Sequence, residues 1–405
     1  MLLVPTGEAP DEYTHTWVIN FLAGHLRLPG AAEVAAAGPD AVYGSLPPMG
    51  YLPHVLLRLC LPQPSHLLSE RFGSLLMGLV AVWLSYRIAR ELFAGDRLLT
   101  LALPLMLVFH PQLVFVHSYA NNDVTASALA GGLVYLMVIT LKRGPDLRRS
   151  LLAGLLVGWL ALSKYSGWTI IPVVFASFAA GAFLHGIAPA AAAGCLFSIA
   201  LPALALSGWW FVRNYYQYHG DFLGTRTMYH TWAVAFHRQL SYRLPAWQIV
   251  CDKRWWRFLL FSFWGVFGYV NRYLYRPLYY LFLCFQLGSL AGWLGAGWRA
   301  ARHGEPARSS RAGLVEPAVW IMLALCVTFN LAGMVYASTV NLGGPQGRYL
   351  IVSEIPAMAI LIAGLAALGP RVGRWAVIIL LAFTAAVCAG AWIMLWRLYG
   401  FPARL

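Results

Sequence analysis

The sequence predicts an all-α polytopic membrane protein, and three observations carry that prediction. Charged residues are 11% of the chain and apolar residues 60%, where a soluble domain carries about 25% charged residues. Mean hydropathy is +0.64. Apolar runs of about 20 residues, enough to cross a hydrocarbon core as helix, recur between charged or Gly/Pro-bearing breaks.

In chain order these runs are 69–92, 98–117, 124–141, 150–163, 168–184, 188–212, 277–298, 317–337, 349–368 and 375–396. The fourth is short and extends toward Tyr165. No fixed-period repeat and no soluble domain is evident. The chain reads as a single membrane domain, 1–405, made of a first loop (1–68), a helical bundle (69–212), a second long loop (213–276) and C-terminal helices (277–396).

Basic residues orient the spans. Arg87, Arg90 and Arg97 flank the first connection, and Lys142, Arg143, Arg148 and Arg149 fill the third. Arg299, Arg302, Arg308 and Arg311 lie in the seventh, Arg371 and Arg374 in the ninth. These alternate connections share one side, which the positive-inside rule makes cytoplasmic. The formal charge of +14 is explained this way, so no nucleic-acid partner is expected. By parity, residues 1–68, the turns 118–123, 163–167 and 338–348, and the stretch 213–276 face outward. Met1 to Pro10 lacks the basic and apolar regions of a cleavable signal.

The outward side collects the unusual residues, and ionisable groups at membrane level mark sites by default. PDEYTH supplies Asp11, Glu12 and His15. These acids are either solvated or helix-capping groups, or part of a site. WVINFLAGHLRLP and YGSLPPMGYLPHVLLRL follow, suited to helices in the interface plane and broken at Pro47-Pro48. In HSYANNDV, Asn122 or Asp123 is either the N-cap of the next span or a group reaching a cavity. Lys164, in ALSKYSGW, either snorkels to headgroups or meets an anionic partner. In SGWWFVRNYYQYHG, the Trp pair reads as an interfacial belt, and Arg213 beside Asn214 offers a donor fork for phosphate. Gln346, Arg348 and Tyr349 end the Gly/Pro-rich turn NLGGPQGRY, and Glu354 lies one to two turns into the span that follows. Cations at the bilayer boundary with a carboxylate above them suit a lipid-linked phosphate: the cations hold the leaving phosphate and the acid acts as base.

His15, His54, His117, His219, His230 and His237 also face outward, but no spacing such as HExxH sets a metal site. Four of six cysteines read as small core residues, while Cys60 and Cys251 share the outer side without any pattern that requires a disulfide.

These motifs resemble the GT-C glycosyltransferases, which include protein O-mannosyltransferases, aminoarabinose-transferase-like enzymes and bacterial relatives. PDEYTH with LPPMGYLPHVLL is similar to their first outer loop. ERFGSLLMGLVAVWLSYRIARELF is similar to the span that follows, and NNDV to a polar turn two spans on. GLLVGWLALSKYSG, WFVRNYYQYHGDFLG, SFWGVFGY and QGRYLIVSEIPA match recurring patterns in the same order. The resemblance implies about a dozen transmembrane helices, an outward-opening cavity and a polyprenyl- or dolichyl-phosphate-linked sugar donor, in a bacterial plasma membrane. Asp11 would then deprotonate an acceptor hydroxyl that attacks the anomeric carbon with inversion, and Glu12 would orient the acid or an acceptor group. Lys164, Arg213 and Arg348 would bind phosphate, with His15, Asn122, Asp123, Asn214, Gln346 and Tyr349 near the substrates. No cofactor is required, although some members of the superfamily use a divalent cation. A helix precedes this acidic loop in the family, so Met1 to Pro5 is expected to be the last turn of a span encoded upstream. The competing classes are a transporter or flippase, which would carry charges or Gly/Pro breaks near span centres, and a relative that binds lipid-phosphate sugars without turnover. Neither the sugar nor the acceptor is legible.

Overall fold

A computed structural model describes residues 4, 5, 7–61, 66–235, 244–302, 311–340 and 345–400. The candidate residues His237 and Arg308, and Met1 to Leu3 of the expected helix stump, lie outside them. The first loop forms α1 (Glu12–His25), α2 (Ala31–Ala37) and α3 (Leu52–Cys60). The bundle follows as α4 (His66–Leu92), α5 (Arg97–Phe109), α6 (Pro111–Val116), α7 (Asp123–Arg143), α8 (Leu147–Ala161), α9 (Ile171–Leu184) and α10 (Pro189–Gln217). A second loop region carries α11 (Thr225–Ala235), α12 (Ala246–Cys251), α13 (Lys253–Trp264) and a two-stranded ribbon, β1 (Val266–Phe267) antiparallel to β2 (Arg272–Tyr273). The last helices are α14 (Arg276–Arg302), α15 (Val315–Thr339), α16 (Glu354–Ala366) and α17 (Val372–Tyr399).

The all-α polytopic prediction holds. Each expected span is largely helical, and eight helices among the described residues are long and apolar enough to cross a membrane. Three spans differ in detail. The run 98–117 is divided at His110, because Pro111 has no N–H to donate and drives the preceding residue to extended backbone (ψ 112°). The runs beginning at 168 and 349 are each entered through a 3-10 segment, Tyr165–Ile170 and Gly347–Ser353. At the other extreme, α10 continues past 212 to Gln217, so Arg213 and Asn214 sit on a helix instead of opening a loop.

Helix α7 is the hub. Its Ala- and Gly-rich sequence lets α4, α8, α9 and α15 pack around it, and 89% of its apolar window is buried. Close helix approach elsewhere uses the same device: a Cβ on Gly292 of α14 would lie 1.8 Å from the Gly364 carbonyl oxygen of α16. The basic connections gather at one end, where Arg143 pairs with Glu91, Arg149 with Asp146 and Arg374 with Asp96.

At the opposite end the first loop folds over the bundle. Its Pro47–Tyr51 turn is clamped by Met49 N–H to the Leu162 carbonyl (2.8 Å), by Trp159 Nε1 to the Met49 carbonyl (3.0 Å), and by Thr125 Oγ1 to the Gly50 carbonyl (2.7 Å). Those bonds set the loop against α7 and the turn after α8. Cys60 and Cys251 are both free and exposed.

Candidate functional site

Helix α1 begins at the acidic pair, and its two carboxylates diverge. Asp11 is the N-terminal flanking residue in left-handed backbone (φ 60°, ψ 10°), a conformation that Asp tolerates better than most residues. Its side chain makes no capping bond. Its Oδ2 lies 2.6 Å from Arg348 Nη2, and Tyr43 donates a second hydrogen bond to it. The side chain keeps 35% of its exposure. Burial acts to raise the Asp11 pKa, but Arg348 foremost, then His15 and Tyr43, outweigh it and hold the carboxyl below its ordinary value.

Glu12 points the other way and is fully buried. Arg71 of α4 binds it bidentately, Nε to Oε1 at 2.8 Å and Nη2 to Oε2 at 2.7 Å, and the Ala120 N–H adds a third bond at 3.1 Å. Arg71 Nη1 also donates to the Val4 carbonyl at 2.7 Å. This carboxylate joins the first loop to α4 and to the turn before α7. Glu12 is expected to orient the acid or an acceptor group; in the structure its oxygens are bonded to Arg71 and the Ala120 N–H, and it stands next to Asp11 at the start of α1.

His15 is buried one turn on, with Nδ1 2.8 Å from the Tyr51 hydroxyl and its ring 4.9 Å from that of Tyr43. Burial pushes its pKa down to about 3, so the imidazole is neutral at pH 7. The same desolvation pushes Tyr43 and Tyr51 well above the usual phenol range.

The turn before α7 resolves the capping question. Asn122 holds the N-cap position of α7 but its side chain makes no capping bond; Asn121 supplies it, with Oδ1 accepting from the N–H groups of Asp123 (2.9 Å) and Val124 (3.3 Å) while its Nδ2 donates to the Val116 and Tyr119 carbonyls. Asn122 Nδ2 donates to the Ser163 carbonyl at 3.1 Å. Asp123 is thereby released from capping and takes Lys164, Nζ to Oδ1 at 2.5 Å, with its own side chain fully buried. Lys164 therefore meets an anionic partner; burial lowers its pKa and Asp123 opposes that. Its ammonium lies 5.5 Å from the Tyr349 ring centroid, and the Arg348 guanidinium carbon lies 5.4 Å from the same centroid. Arg348 Nη1 reaches the Tyr119 hydroxyl at 3.3 Å.

The 3-10 segment that carries Arg348 is fixed by Gly347, whose N–H donates to Ser262 Oγ at 2.8 Å. A Cβ there would fall 2.1 Å from the Phe263 backbone nitrogen, so only glycine permits the approach. Gly347→Ala is expected to displace Arg348 and lower activity roughly 10-fold or more while the protein still inserts and folds; a 1 Å misplacement costs up to about 100-fold. Unchanged turnover in a purified, folded variant would refute this.

Two expected members lie elsewhere. Arg213 donates to the Pro29 carbonyl (2.7 Å) and to Asn214 Oδ1 (3.1 Å), and Asn214 Nδ2 donates to the Ser45 carbonyl (3.0 Å). Both tie α10 to the first loop, and neither contacts the cluster of Asp11, Lys164 and Arg348. Gln346 flanks the 3-10 segment and its Oε1 has no hydrogen-bond partner among the described residues. Glu354 does find a buried partner, His110 Nε2 at 3.4 Å. His110 Nδ1 accepts from Leu113 N–H (3.2 Å), which places the neutral ring's proton on Nε2, facing Glu354.

Sequence reasoning missed Arg71, Tyr43, Tyr51, Tyr119 and Asn121. Arg71 carried a usable signal, an arginine just inside an apolar run; the tyrosines carried none. Of the histidines, His54 bonds Ser74 and His117 bonds the Leu113 carbonyl, whereas His219 and His230 are exposed. Among the described residues, no group of three or more His, Cys, Asp or Glu side chains gathers to hold a metal ion.

Fold and site together define a polytopic membrane protein with a charged cluster under a folded first loop. Residues 49–206 match the family model described as dolichyl-phosphate-mannose-protein mannosyltransferase. The apo oligosaccharyltransferase of Archaeoglobus fulgidus shares the fold with a TM-score of 0.53 at 14% identity, over 95% of this chain and 52% of that one. The same protein with Zn and sulfate gives 0.49 at 13% identity, over 95% and 49%. The chain thus spans about half the length of that enzyme. Comparison with curated protein sequences gives no match. The chain is thus similar over residues 49–206 to that mannosyltransferase family and shares the fold of the archaeal enzyme.

Proposed function

We propose that the chain is an inverting glycosyltransferase that moves a sugar from a polyprenyl-phosphate donor to an acceptor hydroxyl on the non-cytoplasmic side of the membrane. The observation that carries this reading is the convergence of a part-exposed Asp11 with two cations, Arg348 and Lys164, over one tyrosine ring. In that reaction the acceptor oxygen forms a bond to the anomeric carbon as the bond from that carbon to the phosphate oxygen breaks. The electron pair leaves on the phosphate, and the hydroxyl proton passes to Asp11.

Arg348 and Lys164 stabilise the charge that develops on the leaving phosphate. Asp123 holds Lys164 beside Tyr349. His15, neutral and fixed by Tyr51, lines the Asp11 side as a hydrogen-bonding group for the acceptor. Glu12, Arg213 and Asn214 hold the first loop in place. The outward assignment rests on the basic connections clustering at the opposite end of the bundle.

Purified protein assayed against a panel of polyprenyl-phosphate sugars should transfer sugar from at least one of them. With that donor, Arg348→Gln and Lys164→Met are each expected to raise the donor KM about 10- to 100-fold, the value of a charge-assisted hydrogen bond lost. Wild-type KM and turnover in both folded variants would remove the phosphate assignment.

A further inference from the structure

The two cations that would hold a donor phosphate are already engaged by carboxylates of the same site. Arg348 Nη2 is 2.6 Å from Asp11 Oδ2, and Lys164 Nζ is 2.5 Å from Asp123 Oδ1. Asp11, Asp123, Arg348 and Lys164 therefore form an electroneutral set, apart from the separately balanced Glu12 and Arg71 pair. A phosphodiester entering this set brings one more negative charge into a desolvated space, so one carboxylate must give up its cation.

The two acids are unequal candidates. Asp123 is wholly buried at the first turn of α7, where the helix N-terminus favours its charge. Asp11 sits on a loop in left-handed backbone, is part-exposed, and is held by one guanidinium nitrogen and Tyr43. Arg348 also has a donor to spare, since its Nε has no hydrogen-bond partner among the described residues. The charged and titratable groups around Asp11 are Arg348 and Tyr349 from the 3-10 segment, His15 from α1, Tyr43 and Tyr51 from the first loop, and Tyr119, Asp123 and Lys164 from the two turns; Tyr269 senses its charge from beyond β1.

We propose that the donor phosphate takes Arg348 from Asp11, so that the general base is unlocked only in the donor-bound protein and donor binding precedes acceptor activation. This rests on the reading of Asp11 as base and Arg348 as phosphate ligand. While Asp11 is bonded to the guanidinium, its oxygen is committed to Arg348 and is a poor proton acceptor. Once the phosphate holds Arg348, Asp11 loses a cation, gains an anionic neighbour and takes the acceptor's proton more readily. An acceptor arriving first meets a base that is switched off.

Carbodiimide labelling of protonated Asp11, measured by mass spectrometry across the acid pH range on the full chain in nanodiscs, tests this. The quantity read is the midpoint pH, because occupancy of the site alters labelling amplitude as well. Undecaprenyl phosphate is expected to raise the midpoint by at least about one pH unit, and undecaprenol to leave it unchanged. Inorganic phosphate, if it shifts the midpoint as far, assigns the effect to the headgroup alone; if it does not, the lipid chain is needed to seat that headgroup. Arg348→Gln should show the raised midpoint with no lipid present. An unmoved midpoint while undecaprenyl phosphate demonstrably binds overturns the exchange and leaves the donor reading standing. Failure of undecaprenyl phosphate to bind overturns both.

Discussion

Asp11→Asn is expected to lower sugar transfer about 10²- to 10⁴-fold, the usual contribution of a general base, while the protein stays folded in the membrane. Asparagine accepts the left-handed backbone at this position as readily as aspartate does, so the loop should keep its shape. The amide oxygen still accepts from Arg348 but carries no charge, so the guanidinium is given up to phosphate more readily. Donor affinity should therefore hold or tighten as turnover collapses, a combination that single-turnover assays and donor titration read directly. Full turnover with the correct lipid-linked sugar would remove Asp11 from the reaction. The pH dependence has a definite sign as well. Because the folded-state pKa of Asp11 lies below its ordinary value of 3.8, its pairing contributes stability that is fully present above that value. The contribution is lost as pH falls through the lowered one.

Arg71→Met is expected to destabilise the fold by about 3–5 kcal/mol, the cost of stranding a buried carboxylate. Both partners are almost fully buried (3% and 1% of side-chain exposure), and Glu12 would keep only the Ala120 N–H. Thermal unfolding in detergent or nanodiscs checks this. Glu12→Gln should cost less, since the amide oxygen still accepts from Arg71, and turnover per folded molecule should stay within a few-fold of wild type. If Glu12→Gln instead abolished turnover without changing stability, Glu12 would belong to the reacting groups and not to the loop's anchorage. The pair matters for function through geometry, because it fixes the start of α1 and hence the position of Asp11.

The two adjacent acids show where sequence reading stops. Side by side in PDEYTH, Asp11 and Glu12 look equivalent, yet one faces Arg348, 337 residues away, and the other Arg71 and Ala120, 59 and 108 residues away. Arg213 and Arg348 likewise carry the same local signal, an arginine at a span end. The extension of α10 by one further turn and the 3-10 entry to α16 send them to different partners. Lys164 was legible because its turn is too short to carry the ammonium far from the bundle. Its partner Asp123 was legible as a polar residue but not as a counter-ion, since that required Asn121 to take over the cap.

What the sequence by itself determined is the membrane architecture: an all-α polytopic chain, the order of its apolar helices, and the separation of the basic connections from the polar turns. Those features follow from hydrophobic length and charge bias, which are local along the chain and are imposed by the bilayer. Only the tertiary structure decided which of those polar residues meet. The first loop folds over the bundle, Pro111 and the 3-10 segments redirect side chains by fractions of a turn, and buried charges settle beside whichever counter-charge the packing brings within hydrogen-bond reach. Pairing of that kind depends on distances of a few ångströms between residues hundreds of positions apart, and such distances have no signature in the linear order of the chain.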